Sequence, residues 1–124
     1  MSPGDQRYTI RFAEETRKEL RRLGPSAGAE ILAAIRKKLS AAPEAYGEAL
    51  GRDLAGYRKL TVGQWRVAYH VETGKSLVLV LAIGKRAAGD HENIYDQLGR
   101  DNLDARADEL RRGIDREVRH EKPR

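Results

Sequence analysis

Four cations in this chain fall at spacings that suit phosphate chemistry: Lys59, Arg66, Lys85 and Arg86. They lie within residues 57–86, which carry 6 Lys/Arg against 1 Asp/Glu, while the whole 124-residue chain carries 24 against 19. That block alone accounts for the net charge of +5. An excess focused in this way points to phosphate, and hence to nucleic acid, more than a charge spread for solubility does. The plainer reading is a solvated basic face. An arginine guanidinium is always protonated and grips phosphate oxygens as a fork. A lysine serves as a base only if its pKa falls, and crowding by like charges pushes it that way. No carboxylate pair, no Ser/His/Asp set and no metal-ligand spacing accompanies these cations, so glycoside hydrolysis, a serine triad and a two-metal nuclease find no support. Phosphodiester chemistry with neither metal nor cofactor remains. RNA brings its own nucleophile in the 2′-OH; a protein then needs to position it, stabilise charge on the transition state and move two protons. DNA lacks that hydroxyl and is no substrate for such a site.

These side chains act together only if the backbone gathers them. Glycines at 47, 51 and 56 break the chain into a loop, after which residues 57–62, 65–71 and 77–83 read as three strands joined by turns at Gly63-Gln64 and at Thr73-Gly74-Lys75. Successive strand residues point to opposite faces. Trp65, Val67, Tyr69 and Val71 therefore form an apolar face that leaves Arg66, Ala68 and His70 on the other, and Tyr57, Lys59 and Thr61 join Arg66. If Gly63-Gln64 is a two-residue type II′ turn, Thr61 stands opposite Arg66, and Lys59 is the diagonal neighbour of Arg66 at roughly 7 to 8 Å between backbones. The third strand delivers Lys85 and Arg86 to a sheet edge beside Gly84, which allows close backbone approach. Lys85 alone reads as an ordinary strand-end cation; Lys59, Arg66 and Arg86 together read as a site.

Ahead of this meander, residues 8–12 alternate as a half-buried strand. Residues 13–23 read as a charged helix stopped at Gly24-Pro25, and Ser26 is placed to cap a second helix in which Ile31, Leu32, Ile35 and Leu39 recur until Pro43. The order is βααβββ, an α+β domain with a small antiparallel sheet and two N-terminal helices on one face. After Gly84, Asp90 is placed to cap a helix carrying Ile94 and Leu98. Beyond Gly99 the stripe Leu103, Ala107, Leu110, Ile114 and Val118 gives a further amphipathic helix over about residues 102–118, a C-terminal helical extension. The partition is thus 1–98 and 99–124. The chain has no cysteine, which excludes disulfide scaffolds and thiol chemistry. Its longest apolar run, residues 77–83, is too short to cross a bilayer, and residues 1–6 lack the pattern of a signal peptide, so a cytoplasmic location without a membrane partner is expected.

The stretch 54–69, LAGYRKLTVGQWRVAY, followed by IGKR at 83–86, in the order βααβββ, resembles the RelE/ParE superfamily of toxins from bacterial toxin–antitoxin modules over roughly residues 8–98. The resemblance implies a basic domain that enters the ribosomal decoding site, cleaves mRNA and inhibits translation. Its implied partners are mRNA, the ribosome and a cognate antitoxin that wraps and inactivates it, with operator DNA reached only through the antitoxin complex. By position, Lys59 matches the family's general-base lysine, Arg66 its transition-state arginine, and Arg86 the arginine that stabilises charge and assists the leaving group. Tyr95 resembles a tyrosine on which an mRNA base stacks; its other reading is a core or helix-surface aromatic. Tyr57, Arg58 and Lys85 flank the triad and are read with Tyr95 as RNA-binding. The chain departs from the family in two places. Tyr57 occupies the position of a second lysine, with Arg58 adjacent but of the wrong parity, and residues 87–90 lengthen the gap between Arg86 and Tyr95. His91 in that gap reads as an exchanged acid or base, or as an exposed helix-start residue. An alternative within the superfamily is a ParE-like toxin that poisons DNA gyrase and needs no catalytic cations, and a third is a regulatory paralogue that only binds an antitoxin and operator DNA.

Overall fold

The change after Gly56 from a helical to a two-residue period appears in the fold as three consecutive antiparallel strands. The structure, a computed structural model, describes residues 7–86 and 93–121, with side chains through Val118. In chain order it contains β1 (Thr9–Phe12), α1 (Glu14–Arg22), α2 (Gly24–Leu39), α3 (Pro43–Tyr46), β2 (Glu48–Ala49), β3 (Arg58–Val62), β4 (Trp65–Glu72), β5 (Leu77–Lys85) and α4 (Ile94–Glu121). The α+β class is as expected, with α3 and β2 added inside the glycine-broken loop. The sheet order is β1-β5-β4-β3-β2. Strands β3, β4 and β5 form the meander, but β1 lies parallel to β5, Thr9 opposite Leu77 and Phe12 opposite Val80. The sheet is therefore mixed rather than wholly antiparallel. Residues 13–76 separate β1 from β5, so no hairpin fixes their relative direction, and the intervening helices supply the long connection a parallel pair requires.

Both faces of this sheet are covered. On one, Ile31, Ile35 and Leu39 of α2 pack on Leu60, Val62, Val67, Tyr69, Val78 and Val80. On the other, Leu103 and Ala107 of α4 pack on Ala68, Leu77, Leu79, Leu81 and Ala82. Strand β5 is buried from Leu77 to Ile83, which explains a run that is apolar without alternation. Ser26 does not cap α2. The helix begins at Gly24, Pro25 occupies its first turn, and only Leu23 separates it from α1, so Ser26 is already helical. The predicted capping residue Asp90, like His91, lies outside the described residues.

Helix α4 joins the two predicted C-terminal segments across Gly99, where φ 78° and ψ 169° break the helical path. Residues past the expected boundary at 98/99 share the core of the sheet, because Leu103 and Ala107 are fully buried. Further along, the helix is tied down by charge. Arg106 lies 3.6 Å from Glu19 and donates to the Leu81 carbonyl at 2.8 Å, Arg111 pairs with Glu72, and Arg11 reaches Glu117 at 2.6 Å. No helix among the described residues is long and apolar enough to cross a membrane.

Two outcomes follow from this docking. Leu103→Ala removes a fully buried side chain and should cost about 2 to 5 kcal/mol, measured by denaturant unfolding. Burial pushes the Glu72 carboxyl up, but the hydrogen bond and charge of Arg111 outweigh it and hold Glu72 below its ordinary 4.5; Arg11 holds Glu117 low as well. A depressed carboxylate stabilises the fold above its unfolded value and loses that contribution as pH falls through the folded one. Amides of α4 from Arg111 onward should therefore lose protection, measured against their intrinsic exchange rates, on acidification below about pH 4.5, before those around Leu103 do.

Candidate active site

The hairpin turn decides where the cations point. Gly63 has φ 58° and Gln64 has no positive φ, the type II′ pattern, and the register follows: Thr61 faces Arg66 and Lys59 faces Ala68. Directly opposed residues share a face, so Lys59, Thr61 and Arg66 stand together. That face is the one α4 covers further along, and exposure rises away from the helix: Tyr57 is buried, Lys59 is 30% exposed at its side chain, and Thr61 is open. Arg66 is steadied by its own turn, its Nη1 donating to the carbonyls of Gly63 at 3.1 Å and Trp65 at 3.0 Å. Its remaining guanidinium nitrogens have no protein acceptor among the described residues.

Arg66 lies opposite Gly84 on β5. A Cβ on Gly84 would come within 2.5 Å of the Ile94 Cβ, so the close approach this glycine permits is that of α4. Arg86 follows at the exposed end of β5, its N–H donating to the Gln64 carbonyl at 2.6 Å, which fixes it beside the same turn. Lys85 does not join the group. It is opposite Trp65, and alternation sends it to the other face.

A carboxylate completes the arrangement, and the sequence reading missed it. Glu48 on β2 is directly opposite Lys59, its Oε1 3.4 Å from Nζ and its side chain 75% exposed. A two-residue edge strand leaves no alternation to detect, and Glu48 follows a glycine in a loop. Lys59 is thus partnered by an acid, not crowded by cations as expected. No group of three or more His, Cys, Asp or Glu side chains among the described residues is placed to hold a metal ion.

Of the residues assigned to RNA contact, Tyr57 and Tyr95 are buried and Arg58 is half-buried, held by hydrogen bonds within the fold. Tyr57 donates a hydrogen bond to Asp104 of α4 beneath the Arg100 guanidinium, 5.5 Å from its ring centre, and His70 meets the ring edge-on at 5.9 Å. Burial, then the hydrogen bond and charge of Asp104, push its phenol far above the ordinary range. Tyr95 is 3% exposed within the α4-side core, its core reading. Arg58 donates to the carbonyls of Glu44 at 2.9 Å and Gly47 at 2.8 Å. Parity places it on the α2 side, away from Lys59. Both tyrosines lie where α4 closes the sheet, a packing partner whose position the strand pattern alone did not disclose.

With this geometry in view, the comparisons with known proteins are decisive on ancestry. Residues 10–88 match the family model described as the ParE toxin of the type II toxin–antitoxin system, parDE. The chain belongs to the RelE/ParE superfamily of toxins. It is 31% identical over 80 residues to Toxin RelG of Mycobacterium tuberculosis, a match covering 64% of this chain and 92% of the relative. Among solved structures, the toxin–antitoxin complex RelBE2 of Mycobacterium tuberculosis matches with TM-score 0.62 and 31% identity, over 65% of this chain and 93% of that one. A mutant of the E. coli toxin RelE in the free state matches with TM-score 0.52 and 28% identity, over 64% and 83%. The family match ends at residue 88, so α4 lies beyond it.

In this superfamily member the Arg58 contacts have a structural purpose. The Tyr69 hydroxyl donates to the Pro43 carbonyl at 2.6 Å, with Arg58 Nε 3.4 Å away, and together they fasten α3 and the start of β2 onto the sheet. A Cβ on Gly47 would sit 1.8 Å from that hydroxyl and 2.8 Å from the Lys59 carbonyl. Gly47→Ala should therefore destabilise the toxin by about 1 to 3 kcal/mol through overpacking. It should also part Glu48 from Lys59, seen as loss of mutual dependence between the two residues in a double-mutant cycle.

Proposed function

We propose that this toxin is a ribosome-dependent mRNA endoribonuclease that uses the substrate's own 2′-OH and is neutralised by a cognate antitoxin. The observation that supports this most is the shared face of Lys59 and Arg66, with Arg86 at the end of the adjoining strand and Glu48 beside Lys59. The 2′-oxygen attacks the neighbouring phosphorus, its proton passing to the Glu48–Lys59 pair, and the P–O5′ bond breaks to leave a cyclic phosphate and a 5′-hydroxyl. Arg66 stabilises charge on the non-bridging oxygens, and Arg86 does the same at the leaving oxygen, which takes its proton from water. Positioning and fixed positive charge supply the rate, the usual economy of phosphoryl chemistry in a preorganised site. The antitoxin partner is what membership of a type II toxin superfamily supplies, and a ribosome-bound message implies action in the cytoplasm.

A second reading has a specific observation in its favour, because the matching family model is that of ParE. A gyrase poison has no use for an exposed carboxylate–lysine pair beside an arginine held by its own turn, and so the nuclease is preferred. Expression of the toxin with and without Lys59→Ala plus Arg86→Ala, followed by mapping of transcript ends on translating ribosomes, separates them. New cuts within codons, absent from the double variant, are expected. Growth arrest with intact messages and broken chromosomes would overturn the nuclease in favour of gyrase. Among single changes, Arg66→Ala should lower the cleavage rate by about 10²- to 10³-fold, and Glu48→Gln by roughly 10²-fold or more if it accepts the proton.

A further inference from the structure

Helix α1 places Arg17, Lys18, Arg21 and Arg22 on its outward arc, all exposed, while Thr16, Glu19 and Leu20 face inward. None of the four makes a hydrogen bond or an ion pair within 4 Å among the described residues, although Arg22 acts at longer range on Glu19 and Arg17 on Glu117. The contrast with α4 is sharp, since Arg106, Arg111 and Arg112 are each matched by a carboxylate. Two of the spacings, Arg17 with Arg21 and Lys18 with Arg22, are like-charge pairs four residues apart, which weaken a helix. The favourable field at a helix C-terminus accounts for Arg21 and Arg22; Glu14 and Glu15 of the first turn stand three or four residues ahead of Arg17 and Lys18 on the same exposed arc but form no ion pair with either within 4 Å.

The direction of α1 joins these cations to the candidate site. The Thr16 hydroxyl donates to the Val80 carbonyl, and three residues on, the Glu19 carboxylate accepts the Ile83 N–H at 3.0 Å. The helix therefore advances alongside β5 in the same sense. One further turn brings Arg22 to the end of β5 where Lys85 and Arg86 are exposed. We propose that the outer face of α1 is a second RNA-backbone surface, continuous through Lys85 and Arg86 with the cleavage site, that takes phosphates beyond the scissile linkage. This rests on the ribonuclease reading and extends it. Lys85, which its pairing with Trp65 places on the face away from Arg66, becomes the link between the two.

The test uses the full chain, labelled 2′-O-methyl oligouridylates of 4 and 16 nucleotides that cannot be cleaved, and purified ribosomes. The variant R17Q/K18Q/R21Q/R22Q should bind the 16-mer about 10- to 100-fold more weakly, with the slope of log K against log salt reduced by roughly 2 to 3, and should bind the 4-mer within twofold of the parent. The Lys59→Ala plus Arg86→Ala variant should weaken on both lengths. Loss seen with ribosomes alone also supports the surface and assigns it to ribosomal RNA rather than the message. A milder variant, K18Q/R22Q, should give about half the slope change, and a Tm no lower than the parent's for both excludes misfolding. Unaltered binding of the 16-mer and of ribosomes overturns this inference while leaving the ribonuclease intact. Loss of binding to polyglutamate with RNA binding retained overturns it in favour of an acidic protein partner. A parent that binds neither the oligouridylates nor ribosomes removes the ribonuclease reading, and this surface falls with it.

Discussion

The pairing register of β3 with β4 is the constraint on which fold and site both depend. A slip of one residue would send every side chain of β3 to the opposite face. Leu60 and Val62 would leave the core beneath α2, and Lys59 would enter it. The hydrophobic burial that stabilises the sheet and the exposure of Lys59 are therefore enforced by the same choice, and neither can be lost alone. The choice is made locally, by Gly63 at φ 58° in a two-residue turn. Arg66 then returns a hydrogen bond to that glycine's carbonyl, so the turn that sets the register also orients the guanidinium.

A second local irregularity carries the register across to β5. Between Ala68 and Tyr69 the pairing shifts, with Ala68 opposite Ala82 and Tyr69 opposite Val80, so Leu81 is the extra residue of a bulge. Without it, strict alternation from Leu77, Leu79 and Leu81 would carry Ile83 and Lys85 onto their face and put Gly84 on the other, away from Arg66. With it, Leu81 and Ala82 both pack toward α4, and Gly84 still lies across from Arg66 on the side where Ile94 needs room.

Much of this was legible in the residues. The turn chemistry of Gly63-Gln64 and the alternation of residues 65–71 were sufficient to place Lys59 and Arg66 together, because both signals are short-range. The apolar continuity of residues 77–83 announced a strand covered on both faces. What covers it, and where, is long-range information. The fate of Tyr57 turns on Asp104 and Arg100, more than forty residues away, and that of Tyr95 on how α4 lies over β5. The same reason hid the direction of β1. Glu48 was missed for a different cause, since a two-residue edge strand is stabilised by its neighbour and not by a pattern of its own.

The sheet face that holds the site is divided between two incompatible demands. Leu79, Leu81 and Ala82 require a cover, while the roles proposed for Lys59, Arg66 and Arg86 require an open face. The division falls at Gly84, where the absent side chain lets Ile94 settle at the border. Gly99 then bends α4, so that its long part starting near Arg100 runs over the apolar half and not across the cations. Arg100 fixes that course by donating to the carbonyls of Asp53 and Ala55 in the loop before β3. The polar anchors of α4 therefore do more than add stability. Because ion pairs are directional where apolar burial is not, Arg100, Arg106 and Arg111 decide the line along which the helix lies, and with it how much of the sheet is left open to a phosphate.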